Sequence, residues 1–159
     1  MNRRHLIQGL VATSGWSILM SAKAADTPFE ITRTDAQWKA ELSPEQFHVL
    51  RGHGTERAGT SPLDHEKRSG VFHCAGCKLP LFASDTKFDS GTGWPSFFRP
   101  LDNAVGTTTD RSFFTTRVEV HCRRCGGHLG HVFDDGPRPT GKRYCMNGVA
   151  LAFEPAPAT

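Results

Sequence analysis

The apolar and polar positions of the chain predict two short helices near its start, followed by a long region of strands and turns. Thr34 and Ser43 each stand three residues before a glutamine, which is the spacing of a capping box, and Pro44 follows the second cap where its missing N–H costs nothing. The helices that follow are predicted to be short and amphipathic. The positions predicted to be buried are Trp38, Leu42, Phe47 and Leu50.

From Gly70 onward the pattern changes to short alternating runs that glycine and proline separate, which is typical of strands and turns. In the clearest run, residues 112–121, alternation places Val118 and Val120 on one face of a strand and charged residues on the other. Further strands are predicted at 71–73, 81–83, 96–98, 131–133, 143–146 and 149–153. Short strands at close spacing indicate a mainly β fold with small antiparallel sheets, to which the N-terminal helices are appended.

Residues 1–24 have the features of a secretory signal peptide. Arg3 and Arg4 precede an uncharged and mostly apolar run, and Ala22-Lys-Ala24 provides an A-x-A cleavage site. The run is too short for a membrane span, so no stable membrane insertion is expected, and the paired arginines resemble a bacterial twin-arginine signal. We therefore predict that the leader is removed and that the protein is exported to the periplasm. The alternative is an uncleaved leader on a cytoplasmic or organellar protein.

The leader contains the excess of positive charge. The whole chain has a formal net charge of +3, and residues 1–24 contain three basic side chains and no acidic ones, so the remainder is formally neutral. A neutral protein lacks the basic surface by which proteins bind nucleic acid, and we expect no nucleic-acid partner.

The length allows one domain, which we place at 34–154, between a linker at 25–33 and a Pro/Ala tail at 155–159. We expect the domain to be a monomer.

Four of the five cysteines form two matched pairs, and the fifth stands alone. The pairs are Cys74 with Cys77 and Cys122 with Cys125. A Cys-x2-Cys segment bends back on itself, so two of them can present four thiolates to one Zn²⁺ ion in tetrahedral geometry. In an oxidising compartment the same pairs could instead form disulfides or act as redox couples. The glycines beside both pairs favour the tight turns of a structural zinc site.

Cys145 is the cysteine that this interpretation leaves free to react. A thiolate is the reactive form of cysteine, and a neighbouring guanidinium lowers the thiol pKa. Residues two apart on a strand share a face, so Arg143 is predicted to activate Cys145, and Asn147 to donate hydrogen bonds to the same site. Taken alone, Cys145 also fits a buried structural cysteine.

Two histidines and a tryptophan stand in segments that fit a reaction site around this thiol. Imidazole titrates near neutrality and suits proton delivery to a leaving oxygen, and Gly130 allows a bend that would bring His128 and His131 together. The glycine-rich segment 90–97 predicts a turn that lifts the Trp94 indole over a pocket. Each feature alone has a plainer interpretation, since such histidines are common in packing or at surfaces, and such a tryptophan is common in cores.

Taken together, these segments resemble the methionine sulfoxide reductase B family. The resemblance runs from about Trp38 to Phe153 and includes both cysteine pairs, RGHGTER at 51–57, GTGWPSF at 91–97, GGHLGHVFDDGP at 126–137 and RYCMN at 143–147. It implies a β-tent (Mss4-like) fold, in which two small antiparallel sheets carry short helices on the outside. It also implies a structural zinc ion that the four paired cysteines bind at a distance from the reaction centre.

The activity implied by the resemblance is the reduction of methionine (R)-S-oxide in peptides or proteins to methionine, which repairs oxidative damage. Cys145 would attack the sulfoxide sulfur and become a sulfenic acid. Trp94 would hold the terminal methyl group of the substrate, with Phe133 and His131 completing that pocket. The residues implied to bind and protonate the sulfoxide oxygen are His128 and His131, and those implied to tune the thiolate and support the histidines are Arg143, Asp135 and Asn147.

One position departs from the family pattern. Many relatives have a cysteine in the glycine-rich turn that converts the sulfenic acid to a disulfide, and Thr92 stands there instead. If the paired cysteines bind zinc, the chain has no other thiol to offer, so Cys145 would depend on an external reductant. A thioredoxin-like protein or a small thiol would fill that role.

Two other function classes fit parts of the sequence. A zinc-ribbon binding module would explain the paired cysteines, but it needs no Arg-Tyr-Cys segment, and the neutral charge counts against a nucleic-acid ligand. A disulfide-dependent thiol oxidoreductase would fit an oxidising compartment, but its reactive cysteine would normally lie within a Cys-x2-Cys pair. The sequence therefore favours a sulfoxide reductase.

Overall fold

The computed structural model describes residues 29–111 and 115–157. The predicted signal peptide at 1–24 lies outside the described residues, as do 25–28 of the predicted linker and the end of the predicted tail. Within the described ranges, neither helix is long or apolar enough to cross a membrane.

Both predicted helices are present, and both begin with the predicted capping box. Helix α1 spans Asp35–Glu41 and helix α2 spans Pro44–Leu50. In each, the cap hydroxyl accepts the backbone N–H of the glutamine three residues later, and that glutamine side chain accepts the backbone N–H of the cap. Helices of seven residues are marginal on their own, so these caps and the packing below them decide that the segments are helical.

Nine strands follow the helices in the described part of the chain. They are β1 (Gly70–Cys74), β2 (Pro80–Ala83), β3 (Lys87–Phe88), β4 (Ser96–Phe97), β5 (Val105–Asp110), β6 (Arg117–Cys122), β7 (His128–Phe133), β8 (Arg143–Met146) and β9 (Leu151–Pro155). A three-stranded sheet has the order β2-β1-β9 and a six-stranded sheet the order β3-β4-β8-β7-β6-β5. All neighbouring strands are antiparallel. The predicted fold class, mainly β with two antiparallel sheets and short N-terminal helices, is confirmed.

The buried face of α2 differs from the prediction at one position. Trp38, Leu42 and Leu50 are buried, as the amphipathic pattern predicts. Phe47, also predicted to be buried, is only partly so, and Val49 takes the buried place. The reason is that α2 packs against both β7 and the short 3₁₀ turn before β9, so two adjacent side chains of the helix are covered.

The predicted strands agree best where apolar residues are dense. Strand β8 has the predicted bounds, and β7 begins earlier than predicted, at His128. The strand predicted at 149–153 begins instead at Leu151, because the chain first makes a 3₁₀ turn at Gly148–Ala150. Strand β5 is not predictable from apolar alternation, since its residues are mostly polar and form the exposed edge of the larger sheet.

The strand predicted at 112–121 is shorter than expected. Strand β6 begins at Arg117, and residues 112–114 lie outside the described part of the chain. Val120 is fully buried, but Val118, predicted to share its face, is 40% exposed. The burial pattern along β6 gives the reason, because the core covers only the second half of the strand.

The core lies between the two sheets and is built largely from aromatic rings. Phe72 on β1 meets Phe97 on β4 edge-to-face at a centroid distance of 5.0 Å, and Phe82 on β2 stacks on Phe97 at 4.3 Å. All three rings are fully buried, and burial of one such side chain contributes about 1.5–3 kcal/mol. These contacts hold the smaller sheet against β4, which is the neighbour of the strand that carries Cys145.

Candidate active site and metal centre

The four paired cysteines lie together where the two sheets meet. Cys74 ends β1 and Cys122 ends β6, while Cys77 and Cys125 lie in the turns that follow these strands. All four Sγ atoms lie within 4.8 Å of one another. The Sγ atoms of Cys74 and Cys125 are 3.8 Å apart, and those of Cys77 and Cys122 are 3.4 Å apart. Tetrahedral zinc with Zn–S bonds of about 2.3 Å needs sulfur atoms about 3.8 Å apart, so the cluster fits one Zn²⁺ ion.

The backbone around the pairs explains why the sulfurs converge. The Cys74 carbonyl accepts the Lys78 N–H at 2.9 Å, and the Cys122 carbonyl accepts the Gly126 N–H at 2.8 Å, which closes a tight turn around each pair. Gly126 has a φ of +67°, a conformation that glycine adopts without strain. The cysteines are free thiols rather than disulfides, so they are available as metal ligands. A metal bound here would join β1 of one sheet to β6 of the other.

Cys145 lies on β8, an interior strand of the six-stranded sheet between β4 and β7. Its register partners are Ser96 on β4 and His131 on β7. A cavity of about 140 Å³ adjoins the thiol, and its lining residues are Thr55, Trp94, Arg117, Gly130, His131, Phe133, Cys145 and Asn147. The structure therefore brings most of the sequence-predicted site residues to one cavity.

The surroundings of the Cys145 thiol raise its pKa above the ordinary value. Burial has the largest effect, because it disfavours the thiolate, while hydrogen bonds from Thr92, Arg143 and Ser96 and the Arg143 charge lower the pKa by less. Arg143 thus acts in the predicted direction, but burial outweighs it. At neutral pH the thiol keeps its proton until another group takes it.

Asp135 reaches the thiol through Arg143 rather than directly. The Nε and Nη2 atoms of Arg143 each donate to the Asp135 carboxylate at 2.8 Å. This pairing raises the pKa of Arg143 and lowers the pKa of Asp135. The guanidinium carbon lies 4.4 Å from the ring centroid of Phe133, which lines the cavity. Asp135 therefore fixes Arg143 in a position where it contacts both Phe133 and Cys145.

The two predicted histidines lie together, with ring centroids 5.4 Å apart. Gly130, between them, has no room for a side chain, because a Cβ atom there would lie 2.1 Å from the Cys145 carbonyl oxygen. This close approach of β7 to β8 keeps His131 beside Cys145. His131 lines the Cys145 cavity, whereas His128 lines only the adjoining cavity, which has a volume of about 460 Å³.

Each histidine is held by a carboxylate that the sequence does not reveal as part of the site. His131 Nε2 lies 2.8 Å from an Asp110 oxygen, and His128 Nδ1 lies 2.7 Å from a Glu119 oxygen. Burial lowers the pKa of His128, and Glu119 offsets only part of that effect. Sheet register, rather than spacing along the chain, brings these pairs together, so local patterns contain no signal for them.

Asn147 lines the Cys145 cavity and holds the backbone around it, while its predicted donation to the reaction site stays a prediction. Its Nδ2 donates to the Leu129 carbonyl at 3.1 Å, and its Oδ1 accepts the Glu56 N–H at 2.9 Å. The side chain is buried, so both polar groups need these partners. Leu129 lies between His128 and His131, and Asn147 therefore fixes the segment that carries both imidazoles.

Glu56 is a third residue of the site that the sequence leaves unrecognised, after Asp110 and Glu119. Besides its bond to Asn147, its backbone carbonyl accepts the Trp94 Nε1–H at 3.2 Å. Its carboxylate accepts the backbone N–H groups of Gly148 and Val149. Burial raises the pKa of Glu56, and these two N–H groups lower it by less. A separation of 93 positions between Glu56 and Val149 explains why no local pattern predicts the contact.

The glycine-rich turn places Trp94 at the cavity, as the sequence predicts, and Thr92 beside the Cys145 thiol. Gly91 and Gly93, on either side of Thr92, have φ values of +68° and +85°, which side chains disfavour. The indole of Trp94 lines the cavity. The Thr92 hydroxyl lies 3.9 Å from the Cys145 Sγ, although 53 positions separate the two residues in the chain.

The sequence that forms this site is similar to one protein family model and to several known proteins. Residues 42–155 match the family model described as the SelR domain. The chain is 52% identical over 127 residues to the peptide methionine sulfoxide reductase MsrB of Agrobacterium fabrum, covering 79% of this chain and 94% of that protein. It is 53% identical over 131 residues to the protein of the same name from Methylibium petroleiphilum, covering 82% and 95%. It is 56% identical over 119 residues to the chloroplastic peptide methionine sulfoxide reductase B1 of Arabidopsis thaliana, covering 74% and 59%.

The matched span contains all lining residues of the Cys145 cavity and all members of the cysteine cluster. The family model covers well over half of the chain, and the bacterial relatives are matched over nearly their whole length. The chain therefore belongs to the methionine sulfoxide reductase B family and is an oxidoreductase.

Proposed function

We propose that this protein reduces methionine (R)-S-oxide in peptides and proteins to methionine, with the Cys145 thiol as nucleophile and an external thiol as final reductant. The observation that supports it most directly is the content of one cavity. Cys145 and His131 face the same space as the aromatic side chains of Trp94 and Phe133. A sulfoxide reductase needs these three elements, namely a nucleophile, a proton carrier and an apolar pocket for the substrate methyl group.

The cavity suits the end of a methionine sulfoxide side chain rather than a whole peptide. Its volume of about 140 Å³ holds only a few heavy atoms. Trp94 and Phe133 would contact the methyl group, and the sulfoxide oxygen would face His131. Because these groups have fixed positions around Cys145, only one sulfoxide epimer can place its methyl group against the aromatic rings and its oxygen toward His131. The family resemblance implies that this is the R epimer.

The reaction is a transfer of one oxygen atom from substrate sulfur to cysteine sulfur. The substrate sulfur becomes electrophilic as its oxygen gains a proton, so the nucleophile and the acid act together. The Cys145 sulfur attacks the substrate sulfur and forms a transient S–S bond. The protonated oxygen then passes to the cysteine sulfur as that S–S bond and the S–O bond of the substrate break, so Cys145 ends as a sulfenic acid while methionine leaves. The cysteine sulfur loses two electrons and the substrate sulfur gains two. The proton of the thiol ends on the sulfenic acid.

The proton for the sulfoxide oxygen would come from Cys145 itself. Burial raises the pKa of this thiol, so the proton stays on it until the substrate is bound. His131, the register partner of Cys145 on β7, would move the proton from sulfur to oxygen. Thr92 and Arg143 both lower the pKa of Cys145 and would stabilise the thiolate as it forms. His128 would support His131 from the adjoining cavity.

The cysteine cluster would hold one structural zinc ion. Four thiolates complete the coordination of Zn²⁺, so the metal would supply a cross-link between the sheets and no chemistry to the substrate. The ligands in this proposal are Cys74, Cys77, Cys122 and Cys125.

Regeneration of Cys145 would require thiols from outside the chain. Thr92 occupies the position beside the sulfur, and the other four cysteines belong to the cluster. A first external thiol would form a mixed disulfide with Cys145 and release water, and a second would restore the Cys145 thiol and leave as a disulfide. A thioredoxin-like protein or a small thiol fits this role.

We also propose that the mature protein is a monomer in the bacterial periplasm. Export is supported by the sequence of residues 1–24, with Arg3 and Arg4 before an apolar run. Replacement of both arginines by lysine should leave the protein in the cytoplasmic fraction, while the native chain appears in the periplasmic fraction at the mass of a monomer. Equal distribution of the two forms would argue against export by this signal.

The full chain tests the reaction directly. A peptide with either epimer of methionine sulfoxide is incubated with the protein and dithiothreitol, and the Cys145→Ser variant serves as control. We expect consumption of the R epimer alone, no activity in the variant, and one added oxygen atom on Cys145 when the thiol is omitted. Equal turnover of both epimers, or activity in Cys145→Ser, would contradict the proposal.

A further inference from the structure

A second group of metal-binding side chains lies beside the Cys145 cavity and outside the cysteine cluster. Glu119 Oε1 lies 3.0 Å from His53 Nδ1 and 2.7 Å from His128 Nδ1, and the three ligand atoms all lie within 4.8 Å of one another. We propose that His53, Glu119 and His128 bind a divalent first-row transition-metal ion of the Zn²⁺ type, and that an ion bound there inhibits the enzyme.

The ligand set and its spacing suit such an ion. Imidazole and carboxylate groups are common Zn²⁺ ligands, and three protein ligands with an open position form a known type of site. Around tetrahedral zinc, N and O ligands at about 2.0–2.2 Å from the metal lie about 3.4 Å from one another. The two contacts of Glu119 would lengthen by about half an ångström as the ion replaces the shared protons.

The site is rigid on one side and accessible on the other. The side chains of Glu119 and His128 are 13% and 3% exposed, so the sheet holds them in place. His53 is 63% exposed, so an ion can arrive from solvent on its side. The backbone of His53 has a φ of +52°, an uncommon conformation for a residue with a side chain, in a segment between Gly52 and Gly54.

The charges around the site permit a cation. Burial raises the pKa of Glu119, but the hydrogen bond and charge of His128, together with the charges of His53 and His121, lower it overall. The adjoining cavity of about 460 Å³ offers space for water ligands and contains a second carboxylate, that of Asp110. Arg111 and Arg117 also line it and oppose a cation, but Arg117 donates to Asp110 at 2.8 Å, which offsets its charge.

An ion at this site would act on the proton path. It would take the Nδ1 atom of His128, whose ring centroid lies 5.4 Å from that of His131. The ion and its water ligands would occupy the adjoining cavity that His131 also lines and would restrict the movement of this imidazole, which faces Cys145. Proton transfer to the substrate oxygen would therefore slow. This inhibitory effect rests on the proposed function, whereas binding of the ion does not.

Binding is tested on the full-length protein with its zinc cluster loaded and with Cys145→Ser to remove the free thiol as a competing ligand. Equilibrium dialysis against Zn²⁺, without any thiol present, should give a second bound equivalent. His53→Ala should abolish it, and His65→Ala, which changes an exposed histidine outside the site, should leave it. The proposal would be overturned if the protein bound only the one Zn²⁺ ion of the cysteine cluster both with and without His53→Ala. It would also be overturned if a second bound Zn²⁺ ion remained in His53→Ala.

Inhibition is tested in a single turnover of the pre-reduced protein with a methionine (R)-S-oxide peptide, because added thiols would bind zinc. Zn²⁺ should slow methionine formation by the native chain and by His65→Ala. For His53→Ala, the Zn²⁺ concentration that halves the rate should be more than about tenfold higher. Zinc binding without any change in rate would refute the inhibitory role. Absence of turnover in zinc-free buffer would instead refute the proposed function and leave the binding result standing.

Discussion

The hydroxyl oxygen of Thr92 lies 3.9 Å from the Cys145 sulfur, at the position where many relatives carry a resolving cysteine. Ser90 holds this hydroxyl by a hydrogen bond of 2.8 Å, and the flanking glycines fix the turn. The two side chains already face each other, and a disulfide bond of about 2.05 Å would require their terminal atoms to approach by about 2 Å. The turn therefore holds a hydroxyl, and no second thiol, beside the nucleophile.

A cysteine at this position should therefore restore an internal disulfide. We expect Thr92→Cys to form a bond with Cys145 after one turnover without external thiol, because the sulfenic acid would lie beside the new thiol. Peptide mapping by mass spectrometry detects the bond. Thr92→Ser, the matched control, should stop at the sulfenic acid, and a Thr92→Cys protein that also stops there would show that the turn cannot close.

The pH dependence of Cys145 alkylation reports its environment. Because burial raises the pKa of this thiol, alkylation by iodoacetamide should be slow at neutral pH and should accelerate as the pH rises through a value above the ordinary thiol pKa. Arg143→Met removes a group that lowers the pKa, so its profile should move to still higher pH. Arg99→Met, a change at an exposed arginine, should match the native profile. A shift of Arg143→Met to lower pH would contradict the assignment.

The indole of Trp94 makes two contacts that variants can separate. It forms one wall of the cavity, and its Nε1–H donates a hydrogen bond to the Glu56 carbonyl. Trp94→Ala removes both, and loss of the apolar contact with the methyl group should lower kcat/KM by about 10- to 200-fold. Trp94→Phe keeps an aromatic wall and loses one neutral hydrogen bond, so the loss should stay within about tenfold. Equal losses in the two variants would mean that the ring does not contact the substrate.

Glu56 is expected to contribute to stability through the backbone it holds. Glu56→Ala leaves the N–H groups of Gly148 and Val149 without their acceptor, and one unsatisfied buried group costs about 1–3 kcal/mol. Urea denaturation should show a loss of unfolding free energy in that range or above it. Glu30→Ala, at an exposed position, provides the comparison and should change the value by less than about 0.5 kcal/mol.

Zinc removal should unfold the protein, since the cysteine cluster joins the two sheets. Structural zinc contributes about 10–16 kcal/mol of binding free energy in small domains, which exceeds the whole stability of most of them. Cys77→Ser should lose the metal and the cooperative thermal transition. Cys145→Ser has the same chemical change away from the cluster and should keep one zinc ion and a native Tm. A zinc-free Cys77→Ser protein with a native Tm would show that the zinc ion has no structural role.

The features that the sequence predicts correctly are those whose partners are close in the chain. Each capping box joins residues three apart, and each cysteine turn closes within four residues. Strand β8 also has its predicted bounds, Arg143–Met146. The family resemblance then places Cys145, His131, Trp94 and Phe133 in one site, and they line one cavity in the structure.

The features that escape prediction depend on register and on long separations. Asp110 and Glu119 reach the histidines only because β5, β6 and β7 pair in one particular alignment. Glu56 meets Val149 across 93 positions. The Asn147 amide donates to the Leu129 carbonyl, which lies 18 positions away in the chain. No property of these residues alone carries that information.

The interior position of β8 has a consequence for the catalytic cycle. Strands with partners on both sides open only with the whole sheet, so the oxidised Cys145 cannot swing outward to meet its reductant. The incoming thiol has to enter the small cavity that methionine has just left. Substrate and reductant would therefore occupy the enzyme alternately and never together, and the architecture of the sheet would impose a ping-pong order on the two half-reactions.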